Sequence, residues 1–268
     1  MTLLEIAGRT DIPVAEGAYG PLLGGVTTNV ADFVHGKDGL GDCGASREPA
    51  ARALPCSAAH FICETVNKFP GEVTVLAIAS MTNVALAMVL DKTFDAKVAE
   101  VVFLGGAYRV QGNINPAAEA NVWHDPEAAD AVFQHCSKVR ALGLDVTHRV
   151  PLTATQLRAL EGRGRFGTFL SQVSQFYLKF HQDSQGIDYI HLHDPTTLVA
   201  VIRPELFTYD LGSVVVSLQG PLRGKTIQDP RTRTFGFANE WSERPPVLVA
   251  MDVDTRRVVG QVWQMITA

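Results

Sequence analysis

Short, unbroken apolar runs of strand length, each followed by a helical stretch, constrain this chain more than any other feature. Val73 to Ala79 is apolar and β-branched, and Thr82 to Leu90 behind it has helical composition. Val98 to Gly106 repeats the pattern and ends in paired glycines. Asp125 to His135 then opens with an Asp cap and with Pro126 at the first helical position, and its apolar residues recur with a period of about 3.6. Val139 to Leu144 is the next strand. Because these strands are continuously apolar rather than alternating, both of their faces are buried. That is the mark of a mostly parallel sheet held between helix layers. The class is α/β, with an open sheet.

The rest is less regular. Phe166 to Gln182, Pro195 to Val201 and Thr255 to Ile266 read as helices, while Ser213 to Leu218 and Val247 to Val253 read as strands. Leu3 to Ala7 reads as the end of a helix closed by Gly8, followed by a strand fragment at Ile12 to Val14. At 268 residues and 46% hydrophobic, the chain can bury a large core, and a single domain spanning 1–268 is expected. The net charge is −5 with no basic block, which argues against nucleic acid as a partner. Ala77 to Leu90, the least polar stretch, is interrupted by Ser80, Thr82 and Asn83 and falls short of the ~20 apolar residues of a spanning helix, so no membrane is expected. The opening residues lack a basic n-region, and the four cysteines form no CxxC pair. Reduced thiols in a cytoplasmic protein are the expectation.

Three segments carry polar chemistry. Gly39, Gly41 and Gly44 satisfy GxGxxG literally, but no buried strand precedes them, so a flexible glycine loop is expected rather than a dinucleotide site. Residues 112 to 121 hold Asn113, Asn115, Glu119 and Asn121 between a strand ending in Gly105-Gly106 and the helix at Asp125. The loop therefore lies outside the carboxyl end of a parallel strand, where ligands bind in this architecture. Amides and a carboxylate suit neighbouring hydroxyls, so a polyol or sugar is the natural ligand. His191-Leu192-His193-Asp194-Pro195 sets histidines beside an Asp at a helix start. A helix cap is one reading, and a zinc set of His181, His191 and His193 is another that no HExxH frame supports.

Five blocks in order resemble one family. They are Phe33-Val34-His35-Gly36 with Gly39-Leu40-Gly41, Ala79-Ser80-Met81-Thr82-Asn83, Phe103-Leu104-Gly105-Gly106, Gly112-Asn113-x-x-Pro116-x-Ala118-Glu119-x-Asn121 with Asp125-Pro126-Glu127-Ala128, and His193-Asp194-Pro195. Together they are similar to the inosine-uridine preferring nucleoside hydrolases, and the first and last blocks resemble the plant-type branch in particular.

The resemblance implies the nucleoside hydrolase fold and hydrolysis of the N-glycosidic bond of purine and pyrimidine ribonucleosides, inosine and uridine among them, to ribose and free base. It implies Ca²⁺, with Asp194 and the Ala79 carbonyl as ligands. It assigns Asn113, Glu119 and Asn121 to the ribose, His193 to the departing base, and His35, Tyr177 and His181 to the base pocket. The family also opens with a strand and an Asp-rich DxDPGxDD loop that these residues do not contain. A first strand-helix-strand unit of at least ~30 residues is thus expected to be missing, with weak calcium binding and impaired turnover as consequences. A noncatalytic nucleoside- or ribose-binding relative, or a subunit partner of an intact hydrolase, stays open as the alternative. Assembly into a homo-oligomer stays open too.

Overall fold

A computed structural model describes residues 1–24 and 31–268. Its centre is a six-stranded sheet. In chain order the strands are β1 (Thr74–Ala77), β2 (Glu100–Leu104), β3 (Val139–Leu142), β4 (Pro151–Thr153), β5 (Tyr189–His191), β6 (Phe207–Val216), β7 (Thr226–Asp229) and β8 (Val247–Val253). The sheet runs β1-β2-β3-β8-β6-β7, and β4 and β5 form a separate antiparallel pair. The first four neighbours are parallel, while β6 runs antiparallel to β8 and β7 antiparallel to β6. Among the described residues β1 pairs only with β2 and is an edge of the sheet.

Side-chain alternation sends each strand into two cores. On β2, Val101 and Phe103 join the core beneath the helices Ala58–Lys68, Thr82–Leu90 and Pro126–His135, while Val102 faces the opposite core with the helices His193–Ile202 and Thr255–Thr267. On β8, Val247 and Val249 enter the first core and Ala250 and Val253 the second. Phe103 and Phe133 meet edge to face at 6.1 Å and are fully buried, and truncating either to Ala would cost about 3 to 5 kcal/mol. Thr82–Leu90 forms as expected. Asp125 caps Pro126–His135, accepting from the Ala128 amide at 3.0 Å and also from Thr82 Oγ1 at 2.5 Å and the Leu22 amide at 2.9 Å. One buried carboxylate thereby ties three segments together.

Some expectations are corrected. Ile12 to Val14 is not a strand. Ile12 is exposed, Pro13 lacks an amide hydrogen, and among the described residues the one ladder contact nearby is the single bridge Glu16 to Ser57. The strand expected over Ser213 to Leu218 begins six residues earlier, at Phe207, and is antiparallel. As the sequence reading expected, no strand precedes the glycine loop, which follows a short helix, Asp32–His35. Gly41, at φ +71°, lets the chain pass so close to the helix Gly167–Gln185 that a Cβ would lie 2.5 Å from the Val173 carbonyl oxygen.

Candidate active site

The carboxyl ends of β1 and β2 are joined by one side chain. Asn121 donates through Nδ2 to the Leu104 carbonyl at 2.9 Å and to the Ile78 carbonyl at 3.4 Å, while its Oδ1 has no partner among the described residues. Asn113 accepts the Ala120 amide at 2.9 Å through Oδ1, and its Nδ2 has no partner among the described residues. Glu119 sits between them. It caps the helix Ala120–His124, receiving Asn121 N–H at 2.9 Å, Val122 N–H at 3.2 Å and, from across the loop, Gly106 N–H at 3.1 Å. These three donors favour the carboxylate, but the group is only 4% exposed, and burial outweighs them and pushes its pKa up to about 7.

The loop itself is built from the backbone. Asp145 accepts the Tyr108 and Arg109 amides at 3.0 and 2.8 Å, and Thr226 Oγ1 accepts the Ala107 amide at 3.0 Å. Gly112 lets the loop close, since a Cβ there would lie 2.0 Å from the Ala118 carbonyl oxygen.

Facing this polar wall is an aromatic one. The helix Gly167–Gln185 presents Tyr177 and His181, whose rings are 4.5 Å apart, and His35 lies 5.5 Å from Tyr177. Leu192 ends the β5 connection, and His193 starts the next helix with Nδ1 2.8 Å from Thr147 Oγ1. Burial, reinforced by His148, His191 and His181, lowers the His193 pKa to about 3, so its ring is neutral near pH 7. Asp194 opens to solvent along the cavity but is enclosed on its other sides, and that desolvation raises its carboxyl.

All eight of the side chains expected at the site, Asn113, Glu119, Asn121, His35, Tyr177, His181, His193 and Asp194, line one cavity of about 550 Å³. Ala79 is exposed beside Ile78, which lines the cavity mouth. His148 and His191 also line it, with rings 4.6 Å apart. Sequence reasoning missed His148 altogether and treated His191 only as a zinc alternative. His181, His191 and His193 pack ring against ring at 5.4 to 5.5 Å, and among the described residues no three His, Cys, Asp or Glu side chains group to hold a metal ion. A calcium ion takes about 6 to 8 oxygens, and a single carboxylate, left uncompensated enough to be raised, together with one carbonyl does not fit it. The residues described therefore do not form the expected Ca²⁺ centre.

At the carboxyl ends of a mostly parallel sheet, one cavity thus sets a wall of amides and a carboxylate opposite aromatic and imidazole groups. The family model of the inosine-uridine preferring nucleoside hydrolases matches residues 1–260, and the chain belongs to this family of nucleosidases. It is 43% identical over 258 residues to "Probable uridine nucleosidase 2" of Arabidopsis thaliana, covering 96% of this chain and 80% of the relative. It is also 43% identical over 263 residues to "Uridine nucleosidase 1" of the same plant, covering 98% and 78%. The solved structure of the plant nucleoside hydrolase PpNRh1 superposes with a TM-score of 0.96 at 41% identity, covering 99% of this chain and 84% of that one.

Proposed function

We propose that the protein is a ribonucleoside N-ribohydrolase that splits uridine and inosine into ribose and the free base. The observation that carries this reading is the opposition, in one cavity, of the Asn113, Glu119 and Asn121 wall to Tyr177, His181 and His193. Uridine nucleosidases among the relatives support the pyrimidine nucleoside as substrate.

The chemistry follows from the free valences. Asn121 Oδ1 accepts from a ribose hydroxyl and Asn113 Nδ2 donates to one, so the sugar is held by its hydroxyls next to the developing oxocarbenium. Tyr177 offers a ring face to the base. The bond between C1′ and the base nitrogen breaks with its electrons going to the base, and water adds its oxygen to C1′ while its proton passes to the Asp194 carboxylate and then through solvent to the base nitrogen, so that ribose and a neutral base leave. Asp194 is the exposed carboxylate on the cavity beside His193 and is placed to hold that water. Because His193 is neutral, its aid to the departing base is a hydrogen bond to the growing negative charge rather than a stored proton.

With Asp194 the only exposed carboxylate in the cavity among the described residues, weak calcium binding and slow turnover are the expected behaviour. The same observation favours the second reading, a nucleoside binder without turnover. Reduced cysteines, all four unpaired, fit the cytoplasm, and no described helix is long and apolar enough to cross a membrane. Purified protein is incubated with uridine or inosine, and base and reducing sugar are quantified together. Equimolar release that is lost in Asp194→Ala supports hydrolysis. Saturable binding without release supports the binder.

A further inference from the structure

Thr147 ends the short helix Leu144–Thr147 that follows β3, and its side chain is completely buried. Its hydroxyl lies 2.8 Å from Nδ1 of His193, 46 residues away, and this is the one side-chain contact of that oxygen among the described residues. The same helix carries Asp145, which holds the Tyr108 and Arg109 amides, so it anchors the polar loop and the imidazole at once.

We infer that Thr147 is a positioning residue for the reaction proposed above: its hydroxyl donates to Nδ1 of His193, fixing the ring so that Nε2–H is the edge offered to the base. The direction of the bond follows from hydrogen bookkeeping. A hydroxyl has one proton, and a buried one needs an acceptor. The Gly143 carbonyl behind it already receives the Val146 and Thr147 amides. If the ring were the donor, the Thr147 proton would have no acceptor among the described residues. With Nδ1 occupied as an acceptor, the neutral ring carries its proton on Nε2, on the opposite edge.

That edge is free. His193 lines the cavity, and its Nε2 has no partner among the described residues, yet it is not sealed by packing as both ring nitrogens of His181 are. The rings of His148 and His191, each 5.5 Å away, flank His193 and limit its rotation, while Thr147 sets which nitrogen faces inward. The pocket is thereby tuned to leaving bases that present an acceptor lone pair at or beside the glycosidic nitrogen. Neither ring alone specifies this. The distant hydroxyl does.

The inference rests on the hydrolase reading for its purpose but not for its test. Nitrogen-15 correlation spectra of the histidine rings in the unliganded 268-residue protein, with His193 assigned by its loss in His193→Gln, report the tautomer directly. Wild type and Thr147→Ser are expected to hold the Nε2–H tautomer, and Thr147→Val to show a mixture or the Nδ1–H form. An Nδ1–H ring in wild type overturns the inference even if Thr147→Val fails to fold, and so does an unchanged ring in a folded Thr147→Val. Where uridine is hydrolysed, Thr147→Val should lower kcat about tenfold with KM little changed, and Thr147→Ser should restore it. Loss of KM alone would contradict a role in orienting His193. Absence of turnover in every protein would count against the hydrolase reading and leave the tautomer result standing.

Discussion

Changing Glu119 to Gln should flatten the pH dependence of stability. Glu119 titrates near 4.5 in an unfolded chain and at about 7 in the folded one, where it is 4% exposed. The native state therefore binds the proton more tightly than the unfolded state, so stability falls as pH rises from about 4.5 through 7 and levels off above. At about 1.4 kcal/mol per unit, the full effect is about 3 kcal/mol, of which about 2.5 kcal/mol lies between pH 5 and 8. In a chain of this size that corresponds to roughly 5 to 10 °C in Tm. The amide side chain introduced by Glu119→Gln would still accept one backbone N–H but would set its own NH₂ against another, so the variant should be less stable by about 1 to 3 kcal/mol at low pH. It would not carry the slope. Urea unfolding of both proteins at pH 5, 6, 7 and 8 separates the constant offset from the slope, and subtracting one series from the other removes every other titrating group. Parallel curves across the whole range would refute the reasoning, because Glu119 would then be ionised in the fold throughout and its three amide donors would have outweighed burial.

His191 behaves oppositely. Burial, with His148 and His181 nearby, lowers it to about 4 from 6.5, so native stability is lost as pH falls below 6.5, by about 2 kcal/mol at pH 5. His191→Phe, which also removes a buried unpaired Nδ1, should lack that loss in thermal melts at pH 7 and 5. Gly112→Ala should lower stability by about 1 to 3 kcal/mol, because the new methyl overlaps the Ala118 and Asn115 carbonyl oxygens, and calorimetry reads the drop in Tm. Addition of about 1 mM CaCl₂ to the 268-residue chain should raise stability by less than about 0.5 kcal/mol, as a Kd at or above that concentration requires. A rise of several degrees would show a calcium centre that Asp194 and Ala79 do not explain.

The parallel strands were readable because burial on both faces leaves no polar alternation, and β2 and β3 are continuously apolar but for Glu100 and Arg140, which pair with each other at 2.5 Å. The pair β4 and β5 was not readable. Each strand is three residues long and gains its meaning only from its partner across almost forty residues. The polar wall was legible as a set of amides and a carboxylate at a strand end. What the sequence did not show is that Glu119 spends both oxygens on backbone amides, since Gly106 is thirteen residues away. Thr147 gave no signal either, being an ordinary small residue whose role exists only because the fold brings it to His193.

A cavity built to hold ribose by its hydroxyls must discriminate between a ribonucleoside and its 2′-deoxy analogue. The most direct measurement is kcat/KM for uracil release from uridine and from 2′-deoxyuridine, in wild type and in Asn121→Ala. Wild type should prefer uridine by about tenfold or more, because a deoxysugar leaves a partly buried polar group of the clamp without a partner, and Asn121→Ala should erase most of that preference. Equal rates on the two nucleosides in wild type, or a preference that Asn121→Ala leaves untouched, would contradict the account.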